Sequence, residues 1–135
     1  MNLGQRVLAF ACVAEAATGL GLVMAPALVA SLLLGASLNG IAVLVGQVAG
    51  IAVIALAVAC WPQAGNSRAY AGMLTYSMLI ALLLAEAGVT GAASGDLLWP
   101  AVILHGILSA LLAVAWAGNR RRSTAQVRAE HSGTI

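Results

Sequence analysis

Two ionisable side chains, Glu15 and His105, lie inside apolar stretches of this sequence, and a carboxyl facing an imidazole can exchange a proton or hold a small polar group. Two further stretches of the same kind carry an amide, Gln47, and a phenol, Tyr76. An ionisable group at the middle of a bilayer costs roughly 2.5 to 3.5 kcal/mol on the insertion scale, so it normally turns toward a bundle interior or a wet cavity. Counted at ~1.5 Å per residue from the arginine-free end of each stretch, Glu15 lies ~13 Å deep, Gln47 and His105 each ~10 Å, and Tyr76 ~18 Å. Helical spacing puts Glu15 on one face with Cys12, Thr18 and Gly19, Gln47 with Val43, Gly46 and Gly50, and His105 with Ser109. The corresponding face of the third stretch is Gly72, Thr75, Tyr76, Leu79, Leu83 and Glu86. Glu15, Gln47, Tyr76 and His105 therefore form the candidate intramembrane polar site. One use of such a site is proton exchange or binding of a small polar ligand or headgroup. The other, preferred here, is a hydrogen-bonded cluster in which a protonated or histidine-paired Glu15 fixes helix register.

Other residues carry less chemistry. One histidine without a second ligand at helical spacing makes a poor metal site, and His131 stands in a polar tail. Cys12 and Cys60 fall in apolar runs with no CxxC or zinc spacing, so both read as small packing residues. Glu86 closes a helix end and Asp96 belongs to a turn. Nothing resembles a nucleophile elbow, a phosphate loop or the paired carboxylates of a hydrolase. The expectation is a non-enzymatic chain with no catalytic residue, cofactor or metal site.

The elements that must position these side chains are four apolar runs, at 6–24, 40–61, 69–88 and 98–118. Each is long enough to cross a ~30 Å hydrocarbon layer as a helix. Over 135 residues, 62% are hydrophobic and 7% charged, which leaves too little polar surface for a water-soluble globule. The runs are continuous and not alternating, which argues against a β-barrel. The fold expected is thus all-α, an integral membrane bundle of four transmembrane helices over 1–118 with a polar tail at 119–135 that reads as frayed. Arg6 and the small residues of APALVA could suggest a signal peptide, but the run is long for one and carries Glu15 at its centre. Pro62 to Ser67 is a short polar turn, which predicts that the second and third spans are antiparallel neighbours. Between the first two spans, Ala25 to Asn39 is apolar and predicts a short helix lying in the interface. Pro100 suits the first turn of the fourth helix.

Arginine placement sets the orientation. Arg6 precedes the first span, Arg68 lies between the second and third, and Arg120, Arg121, Arg122 and Arg128 follow the fourth. The positive-inside rule then puts both termini and the 62–68 loop in the cytoplasm of a bacterial inner membrane. The net charge of +2 is topological information and not a nucleic-acid footprint.

The Gly46 and Gly50 pair, with looser versions at Ala17 and Gly21 and at Gly106 and Ala110, supplies helix-packing faces. The stretches APALVASLLLG, GQVAGIAVIALAVACWP and LLWPAVILHGILSALLAVAW resemble small bacterial four-helix membrane proteins of the DoxX-like group. The likeness runs from about Gly19 to Trp116 and is carried mainly by hydropathy. It implies a small inner-membrane bundle, often of unassigned function, with some relatives linked to redox complexes. That group often has a basic residue near the position of Gln47, and here an amide replaces it. The function expected is a non-catalytic accessory subunit or self-associating bundle, whose partners are the lipid bilayer and a homo-oligomer or larger membrane complex. The alternative is a carrier or binding protein for a proton or a small apolar or amphipathic molecule, through the Glu15, Gln47, Tyr76 and His105 cluster.

The orientation is checked by cysteine labelling in spheroplasts. Cysteines at Ser37 and Ser94 should react with an impermeant reagent added outside, and those at Asn66 and Ser123 only after permeabilisation. External labelling at Asn66 would overturn the arrangement.

Overall fold

The computed structural model describes residues 1–63 and 66–132, with side chains up to residue 118 and at Arg120. Among the described residues there is no strand, and five helices follow in order: α1 Leu3–Met24, α2 Pro26–Leu34, α3 Ile41–Ala59, α4 Ser67–Val89 and α5 Leu98–Ser132. Four segments are long and apolar enough to cross a membrane: α1, α3, α4 and Leu98–Gly118 of α5. The chain is a multi-pass, all-helical membrane protein.

Local chemistry sets the helix ends. Asn2 Oδ1 accepts from the Gln5 amide at 2.9 Å while Gln5 Oε1 accepts from the Asn2 amide at 3.0 Å, a reciprocal cap that starts α1 ahead of the expected Arg6. Asn66 accepts from the Ala69 amide at 3.2 Å and starts α4 at Ser67. Pro26 opens α2, and Gly35, at φ 77°, closes it in the left-handed conformation that a side chain would strain. The short helix expected between the first two spans is this α2. The backbone of α5 does not stop at Gly118, where a frayed tail was expected, but continues to Ser132 through a segment rich in arginine and alanine, which favour helix. Residues 64 and 65 of the polar turn and 133–135 of the tail lie outside the described residues.

Packing divides the bundle into two antiparallel pairs, α1 with α3 and α4 with α5, which meet mainly along α1 and α5. The first pair closes on glycine. A Cβ at Gly19 would stand 2.7 Å from the Gly50 carbonyl oxygen, and one at Gly50 would stand 2.6 Å from that of Gly19, so backbone rests on backbone. Gly46 faces Leu38 and Pro26. Both glycines of the Gly46 and Gly50 pair are thus engaged inside the chain. The prediction that the second and third spans pack as neighbours is corrected: α3 and α4 share a turn but touch least of all the helix pairs in contact. A short loop fixes only one end of each helix, and lipid supplies no hydrophobic force to bring the rest together.

At the end of the bundle away from the termini, here the α2 end, main chain ties the halves together. The Ser94 amide donates to Leu34 O at 3.0 Å and the Leu97 amide to Leu32 O at 2.8 Å. Gly95 lies against the Leu32 and Leu33 carbonyls with no room for a Cβ. Leu33 packs there against Leu84, Ala93 and Leu98. Toward the terminal end, Leu8, Ala11, Cys12, Ala57, Cys60, Tyr70, Met73, Leu108 and Leu112 are among the residues that build the main core. The outside carries exposed Leu20, Val48, Ile51, Leu82, Ile103 and Val114, a surface suited to lipid and not to water.

Replacing Gly50 with valine should therefore lower stability in detergent by about 1–3 kcal/mol, the range for overpacking a filled site. Gly106→Ala, where an added Cβ meets nothing within 4 Å, should leave the melting temperature unchanged or slightly raised. Equal loss in both variants would contradict the described crossing.

Candidate functional site

The buried face of α1 is Leu8, Ala11, Cys12, Glu15 and Gly19, so the one carboxyl in that helix turns inward with 2% of its surface exposed. His105 meets it from α5, with Nδ1 at 3.6 Å from Glu15 Oε1. Tyr76 comes from α4. Its ring stands edge-on to His105, with centroids 6.2 Å apart and planes at 76°, and its hydroxyl lies near the Glu15 carboxyl. Three helices and both helix pairs thus contribute to one cluster.

Helix direction explains the convergence. Side chains lean toward the N-terminus of their own helix, and α1 and α5 are antiparallel, so Glu15 leans toward the terminal end and His105 toward the α2 end. Gly4 lies beside Ala115 nearer the termini, and the two contacts are spaced alike along both helices.

Gln47 does not join them. Its Nε2 donates to the Val23 carbonyl at 3.2 Å, near the α2 end of α1. The similar depths expected for Gln47 and Glu15 assume that the spans begin at one level, but Gly50 opposite Gly19 leaves nine residues of α3 and only five of α1 on the α2 side of the crossing. Gln47 starts nearer that end and leans further toward it.

The polar face predicted for the third span is also rotated. Thr75, Leu79, Leu83 and Glu86 are exposed, and the buried side of α4 is Ala69, Tyr70, Met73, Ser77 and Leu84. Thr18, placed beside Glu15 by spacing, faces outward and donates to Ala14 O at 3.0 Å. Ser109 donates to His105 O at 2.7 Å. Such hydroxyls satisfy themselves on their own helix and need no interior partner.

Sequence reasoning missed Ser77. It is fully buried, and its Oγ, like His105 Nδ1, is enclosed without a hydrogen-bond partner. Its burial could have been read from its helical spacing with Tyr70, Met73 and Leu84, all on the apolar side of α4. Cys12 and Cys60 are free and share the main core. Cys12 also lines an apolar groove of about 170 Å³ with Val13, Ala16, Ala57, Val58 and Trp61.

No known family matches the chain, and neither a curated protein nor a solved structure matches it. A carboxyl, an imidazole and a phenol packed together can hold and redistribute protons and can brace the helices that carry them.

A double-mutant cycle separates members of the cluster from bystanders. Glu15→Gln with His105→Gln should show a coupling energy of about 0.5–3 kcal/mol in unfolding, as groups in direct contact do. Glu15→Gln with Gln47→Leu should be additive within about 0.5 kcal/mol. Strong coupling in the second pair would place Gln47 back in the site.

Proposed function

We propose that this chain is a small non-catalytic membrane bundle, an accessory subunit or self-associating protein of a bacterial inner membrane, with both termini in the cytoplasm. The observation that carries the reading is that Glu15, Tyr76 and His105 are turned on one another across the two helix pairs, with the Glu15 carboxyl buried. A catalytic carboxyl has to meet substrate, and this one meets its own bundle. Its arrangement suits a cross-brace that keeps four lipid-exposed helices in one shape for another protein or another copy to recognise. The one-sided arginines support the orientation. The hydropathy likeness to DoxX-like proteins supports the same class.

A second reading, a carrier or binding protein for a proton or small molecule, is favoured by one observation. His105 Nδ1 and Ser77 Oγ are buried with unused hydrogen-bonding capacity.

Purification from its native membrane in mild detergent, followed by native mass spectrometry, tests the choice. The expected result is an assembly larger than one copy, formed with further copies or with a co-purifying membrane protein. A partner-free monomer that drives a pH-dependent flux in vesicles would replace the first reading with the second.

A further inference from the structure

Glu15 and His105 belong to opposite halves of the bundle and confront each other across it. The groups that face Glu15 are Tyr76 from α4, His105 from α5 and Cys12 one turn back on α1, with Cys60 at the end of α3 near Cys12. Arg6, Arg68 and Arg120 are exposed toward the terminal end, and Glu86 and Asp96 are exposed toward the α2 end. His105 is therefore the group facing Glu15 that can become a cation.

We propose that Glu15 and His105 hold a single proton between them as a pH-sensitive brace, and that uptake of a second proton loosens α1 from α4 and α5. With one proton the pair is neutral overall in either of two forms, a carboxylic acid facing a neutral imidazole or a carboxylate facing an imidazolium. Both forms put a hydrogen on the axis from Glu15 Oε1 to His105 Nδ1, whose 3.6 Å is somewhat longer than a formed hydrogen bond and shortens when the proton is shared. That hydrogen supplies the partner that His105 Nδ1 otherwise lacks.

A second proton leaves an imidazolium facing a carboxylic acid, a net charge enclosed by apolar helices. Loss of the last proton leaves a carboxylate facing a neutral ring, with the same result in the opposite sign. Either charge is relieved by admitting water, and the seam that must open for water is the one between the two helix pairs. The Ser94 to Leu34 and Leu97 to Leu32 main-chain bonds hold the α2 end closed, so the parting is largest toward the terminal end. The inference stands independently of whether the bundle serves a partner or carries a solute.

The test uses the full chain in nanodiscs of phosphatidylethanolamine and phosphatidylglycerol, with Cys12→Ser and Cys60→Ser as background. Spin labels go at exposed positions on the two halves, Val58→Cys on α3 and Met78→Cys on α4. Pulsed electron paramagnetic resonance should show the distance distribution lengthen and broaden from neutral to acid pH. The same labels with Glu15→Gln and His105→Gln, amides that bond without titrating, should show no change. A distance that ignores pH in the parent, or an equal response in the amide variant, overturns the proposal. Proton uptake read with an indicator dye covers the case in which the double variant does not fold. His105→Gln alone should take up one proton fewer per chain than the parent over that range, and equal uptake refutes the brace.

Discussion

A carboxyl inside hydrocarbon must be answered by a partner, and the rest of this bundle is arranged around how Glu15 is answered. Its partners come from α4 and α5, while its own helix is packed on α3. The contact that relieves the carboxyl is thus also a contact that joins the two halves. Because lipid surrounds the outside, each half loses little by leaving the other, and directional contacts set the assembly where hydrophobic burial would set it in water. The polar cluster at mid-depth and the main-chain ties at the α2 end are two such contacts, and the apolar core toward the termini packs along the same seam.

Within each half the logic differs. Gly19 and Gly50 let α1 and α3 approach until carbonyl meets backbone, an interface made of close van der Waals contact. Close approach at one level forces the helices to diverge elsewhere unless something fills the gap. Pro26 and Leu38 do so against Gly46, which seats the start of α2 on α3. The same α2 then offers the carbonyls of Leu32 and Leu34 to the α4 to α5 connection, so a glycine crossing inside one half helps to place the tie between both.

The parts of this arrangement legible in the sequence are those where physics leaves few options. A bilayer demands about 20 apolar residues per helix, and that rule alone leads to four long apolar helices, which the structure contains. Asn2, Asn66, Pro26 and Gly35 then set boundaries that hydropathy blurs. Glu15 and His105 stood out because an ionisable group in an apolar run has nowhere else to go. Gln47 and Thr18 stand apart from the cluster for different reasons: counting depth assumes that helix ends align, and a hydroxyl such as that of Thr18 bonds to its own backbone and needs no interior partner. Ser77 was passed over because a lone serine is a weak signal. Which helices pair depends on where small residues coincide in three dimensions, and loop length is silent on that.

Magnitudes decide why a single proton can matter to so apolar a protein. An interhelical side-chain hydrogen bond in a membrane averages about 0.6 kcal/mol and reaches about 1.7 at most. An uncompensated charge at the bilayer centre costs roughly 2.5 to 3.5 kcal/mol even by the mildest scale. Changing the charge of the Glu15 and His105 pair by one unit therefore outweighs the hydrogen bonds that Tyr76 or Gln47 can contribute. In a soluble bundle, hydrophobic burial of the same helices would exceed that charge term and hold the halves together. Here Val48, Ile51, Leu82, Ile103 and Val114 face lipid whether the seam is open or closed, so they do not oppose its opening. What opposes it is the tie at the α2 end and the packing of Leu8, Met73, Leu108 and Leu112, and the charge on one buried pair is of the right size to compete with them.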